Sequence, residues 1–278
     1  MPVALWIMPM NDHSKRPIGV FDSGLGGLTV VKELIRQLPN ERIVYFGDTA
    51  RVPYGTKSAD TIIRYSREIV RALLEYKVKM VVVACNTASS LALDVIKKEF
   101  DVPIIGVIEP GAKKAAQVTR NKKIGIIATS STVKSGKYAM KIVQLDGHIT
   151  VTSQACPLFV PLVEEGWFEH QVTFQVARQY LKDMKKKNID TLILGCTHYP
   201  LLKGVLRQVM GPKVQLVDSA KEVALQVKEL LTKEKCLAAR LGPGQHMFIV
   251  TDEPKQFQSL ALRFLGEGVK NVRRHIYV

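Results

Sequence analysis

Nine short runs rich in β-branched and apolar residues punctuate the 278-residue chain, and segments of helical periodicity fill most of the gaps between them. The runs are RPIGVF, RIVYF, MVVVA, VPIIGVI, KIGIIAT, HITVT, DTLILG, KVQLV and HMFIV. In residues 61–76 (TIIRYSREIVRALLEY) the apolar positions Ile62, Ile63, Ile69, Val70, Leu73 and Leu74 follow a helical spacing. Strand alternating with helix predicts an α/β protein with mainly parallel sheets flanked by helices. Ligands of such sheets gather at the carboxyl ends of the strands.

Two of the predicted strands stop in the same way. MVVVA runs into Cys85, Asn86 and Thr87, and TLILG runs into Cys196, Thr197 and His198. A weak internal repeat brackets both: IGVFDSG (18–24) resembles IGIIATS (124–130), and VVVACNT (81–87) resembles LILGCTH (192–198). The repeat predicts two similar halves, each delivering one cysteine to a shared cleft. One boundary is expected near residues 109–111, where EPG breaks the pattern, and the second half is expected to end near residues 217–220. The expected organisation is a discontinuous first domain, 16–110 plus 221–278, a second domain, 111–220, and an extension, 1–15.

Composition narrows the class. At 46% hydrophobic and 23% charged residues the chain reads as a soluble globular protein, and no apolar run approaches the length of a membrane span. The start, MPVALWIMPM, lacks the basic flank and small-residue cleavage pattern of a signal peptide. Forty Lys and Arg against 25 Asp and Glu leave a net charge of +15, which attracts anions, but the basic residues are scattered. Four cysteines, at 85, 156, 196 and 236, show no metal-binding or redox-pair spacing, so they read as reduced thiols in a cytoplasm.

The glycine-rich DSGLGG (22–27) and the Gly136–Lys137 pair match neither dinucleotide nor P-loop patterns. The first offers backbone N–H groups at a helix start, suited to a carboxylate. A strand-end cysteine alone is an ordinary buried hydrophobe. Asn86, Thr87, Thr197 and His198 beside the two thiols change that, because each buried polar group left unpaired costs about 1–3 kcal/mol. Cys156 and Cys236 lack such company and read as structural, although Glu164 and Glu165 follow Cys156 closely. A one-cysteine hydrolase leaves the second thiol without a role. Two facing thiols suit proton removal on one face of a carbon and delivery on the other, which inverts a stereocentre. An unperturbed thiol is a few per cent ionised at pH 7, so forming the thiolate costs roughly 2 kcal/mol.

Long strings of the chain resemble the glutamate racemase family: IGVFDSGLGGLTV, VYFGDTARVPYGTKS, VVACNTAS, GVIEPGAKKA, ACPLFVPLVEEG and LILGCTHYPLL, in family order. The resemblance implies an isomerase with two racemase-type domains related by a pseudo-twofold axis, the active site lying between them. It implies that Cys85 removes the proton from D-glutamate and Cys196 from L-glutamate, without a cofactor or metal. It assigns Asp22 to assist Cys85, and His198 and Glu164 to assist Cys196. Substrate binding falls to Asp22, Ser23, Tyr54, Gly55, Asn86, Thr87, Thr197 and His198. The implied partners are glutamate and a second copy in a homodimer, with no membrane, and the implied role is supplying D-glutamate for peptidoglycan and cell shape. Aspartate is the alternative substrate; His198 stands where aspartate racemases usually carry Glu, which favours glutamate. The net charge keeps nucleic-acid or gyrase binding as a secondary alternative.

Overall fold

The computed structural model describes residues 13–239 and 246–277. Of the expected N-terminal extension, residues 1–12 lie outside the described residues. Each of the nine expected runs contributes a strand: β1 (Ile18–Asp22), β2 (Ile43–Gly47), β3 (Met80–Val83), β4 (Ile104–Gly106), β5 (Lys123–Ala128), β6 (Thr150–Ala155), β7 (Thr191–Gly195), β8 (Gln215–Asp218) and β9 (Met247–Val250). A tenth, β10 (Val272–Arg274), was not expected. The helices are α1 (Leu28–Gln37), α2 (Ala59–Glu75), α3 (Asn86–Leu91), α4 (Leu93–Glu99), α5 (Ile108–Val118), α6 (Ser130–Ser135), α7 (Lys137–Leu145), α8 (Phe159–Glu164), α9 (Gln171–Lys186), α10 (Lys203–Met210), α11 (Ser219–Lys233) and α12 (Pro254–Leu265).

The strands form two sheets, ordered β10-β9-β2-β1-β3-β4 and β6-β5-β7-β8, and every strand pair is parallel. The repeat seen in sequence is therefore a repeat of topology. β2-β1-β3-β4 and β6-β5-β7-β8 have the same order, with β1 matching β5 and β3 matching β7. The segment after α11 returns to the first sheet and adds β9 and β10 to its edge. The EPG stretch does not break the chain: Glu109, Pro110 and Gly111 lie in the first turn of α5. Proline is tolerated there because first-turn N–H groups have no partner within the helix.

Alternating side chains place each sheet between two apolar layers, as parallel strands require. Phe21, Phe46, Val81 and Val83 face a core under α2 and α3. Ile124, Ile126, Ile193 and Val217 face another under α5 and α7. The opposite faces, carrying Val20, Tyr45 and Val82 in one sheet and Ile127, Leu192 and Leu194 in the other, belong to one shared core. Helix α11 enters that core through Val223, Ala224 and Val227 and packs against both α1 and α5. This shared core joins the halves on one side and sets the carboxyl ends of β1, β3 and β7 toward each other. No described helix is long and apolar enough to cross a membrane.

Candidate active site

Cys85 follows β3 and caps the N-terminus of α3, its sulfur accepting a hydrogen bond from Ala88 N at 3.5 Å. The side chain is 5% exposed. Burial pushes its thiol up to about 12, the Asp22 carboxylate adds to the rise, and the Ala88 N–H and a Ser23 hydrogen bond oppose it. Ionising Cys85 is therefore costlier than ionising an unperturbed thiol. Asp22, at the end of β1, is fully buried. Burial raises its carboxyl, against His198 and the N–H groups of Gly24, Gly27 and Ser23.

Here the structure departs from the expected use of the glycine-rich loop. The N–H of Gly24 donates to Asp22 Oδ2 at 3.1 Å, so the loop supports its own carboxylate rather than leaving that N–H free for a ligand. Gly27 is required by this packing, since a Cβ there would stand 2.4 Å from Asp22 Cβ.

Cys196 leaves β7, is 6% exposed, and lies 3.8 Å from His198 Nδ1. His198 Nε2 reaches Glu164 Oε1, at the end of α8, at 3.0 Å. Burial alone would depress the imidazole; its hydrogen bonds to Cys196 and Glu164 outweigh burial and carry it up to about 10. The Phe264 ring from α12 meets the His198 ring edge-on at 5.5 Å. Thr197 Oγ1 points at Asp22 Oδ1, 3.5 Å away, and the Thr197 carbonyl accepts from Thr29 Oγ1 at 3.0 Å. Gly26 makes that approach possible: a Cβ there would fall 2.2 Å from Thr197 Oγ1 and 2.5 Å from His198 Nδ1.

Hydroxyls and amides line the seam between the thiols. The Tyr138 hydroxyl donates to Asn86 Oδ1 at 2.7 Å, while Asn86 Nδ2 is buried without a partner. Thr87 Oγ1 lies 2.9 Å from Thr129 Oγ1 and 3.4 Å from Thr132 Oγ1. Ser131 Oγ donates to the Gly55 carbonyl at 2.8 Å. Tyr54 is buried and donates its hydroxyl to Asp48, so that hydroxyl is already engaged.

The structure thus brings Asp22, Ser23, Cys85, Cys196, Thr197, His198 and Glu164 into one interacting group. Asn86 and Thr87 open α3 directly after Cys85, and Tyr54 and Gly55 lie in a short 3-10 turn, Tyr54–Thr56, beside it. Tyr138, Thr129, Thr132 and Phe264 were missed in sequence; Thr129 alone had a signal, since it aligns with Ser23 in the repeat. Both remaining cysteines are free thiols: Cys156 is fully buried in the shared core, where burial and then the nearby Cys196 charge push its own thiol up, and Cys236 donates to the Glu234 carbonyl. Among the described residues, no group of three or more His, Cys, Asp or Glu side chains is placed to hold a metal ion.

Two parallel sheets of matching strand order, each with a strand running into a buried thiol, make this a racemase fold. The chain belongs to the Asp/Glu/Hydantoin racemase family, whose sequence profile matches residues 18–227. It is 50% identical over 257 residues to a glutamate racemase from Geobacter metallireducens, covering 92% of this chain and 95% of the relative. A crystal structure of a glutamate racemase isoform from Bacillus anthracis superposes with a TM-score of 0.91 at 40% identity, covering 95% of this chain and 98% of the other. The glutamate racemase of Francisella tularensis in complex with D-glutamate gives 0.88 at 39% identity, covering 94% and 98%.

Proposed function

We propose that the chain interconverts L- and D-glutamate without a cofactor, using Cys85 and Cys196 as opposed proton carriers, and so supplies D-glutamate for peptidoglycan. The observation that carries this reading is the pair of buried thiols at topologically equivalent strand ends, each with its own ionisable partner. A single-nucleophile mechanism gives the second site no task. The unit that would work this way is a first domain of residues 16–110 plus 221–278 facing a second of 111–220.

Starting from L-glutamate, Cys196 removes the α-proton while His198, held charged, faces the sulfur 3.8 Å away. Cys85, kept as a thiol by burial and Asp22, delivers a proton to the opposite face. The reverse reaction begins with Cys85, and Asp22 lies where it can take up the thiol proton. The harder problem is the weakly acidic α-proton beside a carboxylate, which calls for preorganised donors in a water-poor cleft. Asn86 Nδ2, buried and without a hydrogen-bond partner, is suited to a substrate carboxylate, and Ser23, Thr87 and Thr197 add hydroxyls.

Incubation with D-glutamate alone, followed by circular dichroism, tests the reading. The signal is expected to decay to zero without pyridoxal phosphate; a folded protein that leaves it constant rejects glutamate racemisation.

A further inference from the structure

The loop after β2, residues 48–57, carries Tyr54 and Gly55 to the cleft, and its two halves are held differently. The near half is tied to the end of β9: Thr49 Oγ1 donates to the Asp252 carbonyl at 2.7 Å and accepts from Asp252 N at 2.8 Å. Ala50 N donates to Thr251 Oγ1 at 2.8 Å. The far half has the internal Lys57 N to Tyr54 O bond and the Ser131 contact to Gly55. Ser131, at the start of α6 beside the second sheet, also reaches the Lys57 carbonyl at 3.5 Å, so these contacts come from the other half of the molecule.

What remains is a cluster around Asp48. This carboxylate is fully buried and accepts from Arg51 Nε at 2.7 Å, Thr251 Oγ1 at 3.0 Å, Tyr277 OH at 3.3 Å and the Tyr54 hydroxyl. Arg51 is also paired with Glu68, and its guanidinium lies between the rings of Tyr65, 3.9 Å away, and Tyr277, 3.8 Å away. Two rings keep water from the guanidinium, which strengthens its pairing with Asp48. Tyr277, just beyond β10, thus closes one face of the cluster and supplies one of its donors. Arg51 and Asp48 then hold Tyr54.

We propose that Tyr277 is a positioning residue for the substrate site, fixing residues 52–57 through Arg51 and Asp48. This rests on the racemase reading for its kinetic consequence but not for its structural one. The order of contacts is Tyr277 to Arg51 and Asp48, Asp48 to Tyr54, and Tyr54 to Gly55. None of the first three touches the reacting carbon, so the effect falls on substrate capture rather than on proton transfer.

The test compares the full chain with Tyr277→Ala and Tyr277→Phe by hydrogen exchange and by kinetics with D-glutamate. Tyr277→Ala is expected to speed amide exchange in residues 54–57 several-fold while leaving Ala50 and Asp252 protected. It should raise KM about tenfold with kcat within about threefold, the size expected for losing a desolvated cation–π contact. Tyr277→Phe keeps the ring on Arg51 and should restore both to within about threefold of the parent. Unchanged exchange in Tyr277→Ala, a uniform rise across the first sheet, or a loss confined to kcat each overturns the proposal. Should the parent chain fail to racemise glutamate, the functional reading falls and the exchange pattern still decides the role of Tyr277.

Discussion

Cys85 and Cys196 leave equivalent strands, β3 and β7, and both are nearly buried, yet the groups beside them carry opposite charge. Cys85 faces the carboxylate of Asp22 and caps a short helix, whereas Cys196 faces His198, an imidazole held charged with help from Glu164. A duplicated scaffold therefore delivers two thiols in the same way and then tunes them by different neighbours. The difference suits the proposed two-thiol reaction, in which Cys85 starts from L-glutamate as the proton donor and Cys196 works beside a positive charge.

Removing either thiol is the largest break. Cys85→Ser and Cys196→Ser are each expected to lower racemisation by roughly 10²–10⁴-fold in both directions, the usual worth of a positioned acid or base. The asymmetry shows in D2O by proton NMR. Cys85→Ser should still exchange the α-proton of L-glutamate without inverting it, and Cys196→Ser that of D-glutamate. Identical exchange patterns in the two variants would contradict the assignment of faces.

The two glycines beneath the sites offer a gentler break. Gly26→Ala drives a methyl toward Thr197 and His198, and Gly27→Ala drives one toward Asp22. Displacements near 1 Å cost about 10²-fold in rate. Gly26→Ala should slow α-proton exchange from L-glutamate more than from D-glutamate, and Gly27→Ala the reverse. Equal losses in both directions would mean that the halves move as one body.

Charge can be altered without changing shape. Asp22→Asn, in a Cys196→Ser background, should move the ionisation midpoint of Cys85 down by roughly one to three pH units, read from thiolate absorbance. His198→Asn in that background should leave it in place, because Asp22 and burial are what raise it.

The smallest effect is on stability. The folded His198 binds its proton more tightly than an unfolded imidazole, its midpoint having moved from 6.5 to about 10. The stabilisation is complete below pH 6.5 and is lost as pH rises through about 10. Cys85 adds a loss in the same direction, beginning at its ordinary value of 9.0 and ending near 12. The melting temperature should fall between pH 7 and pH 10, and His198→Asn should flatten that fall by on the order of 5 °C. A steeper fall in the variant would reverse the sign assigned to His198.

The inner strands were legible because parallel strands buried on both faces appear as continuous apolar runs, as β1, β2, β3, β5 and β7 do, whereas the less buried edge strands β6 and β8 showed only as short runs rich in β-branched residues. β10 was not: it is a three-residue edge strand, VRR, whose arginines face solvent. The helix through the EPG stretch was not legible because proline breaks a helix interior but fits a first turn, and only the position of the helix start separates the two cases. The thiols and their immediate neighbours were legible because strand ends concentrate them within three residues. The Asp48 cluster was not, because Asp48, Thr251 and Tyr277 are far apart in sequence and nothing local marks them as partners. Phe264 against His198 is hidden in the same way.

The shared apolar core and the hydroxyl-lined seam lie between the same two halves but adhere by different physics. On the core side, separation would expose oily surface at high cost; along the seam it would exchange hydroxyl contacts such as Thr87 with Thr129 for contacts with water, at about 1 kcal/mol apiece. Water can replace the seam contacts at small cost but not the core contacts, so the two halves are joined unevenly, firmly along the shared core and lightly along the hydroxyl-lined seam.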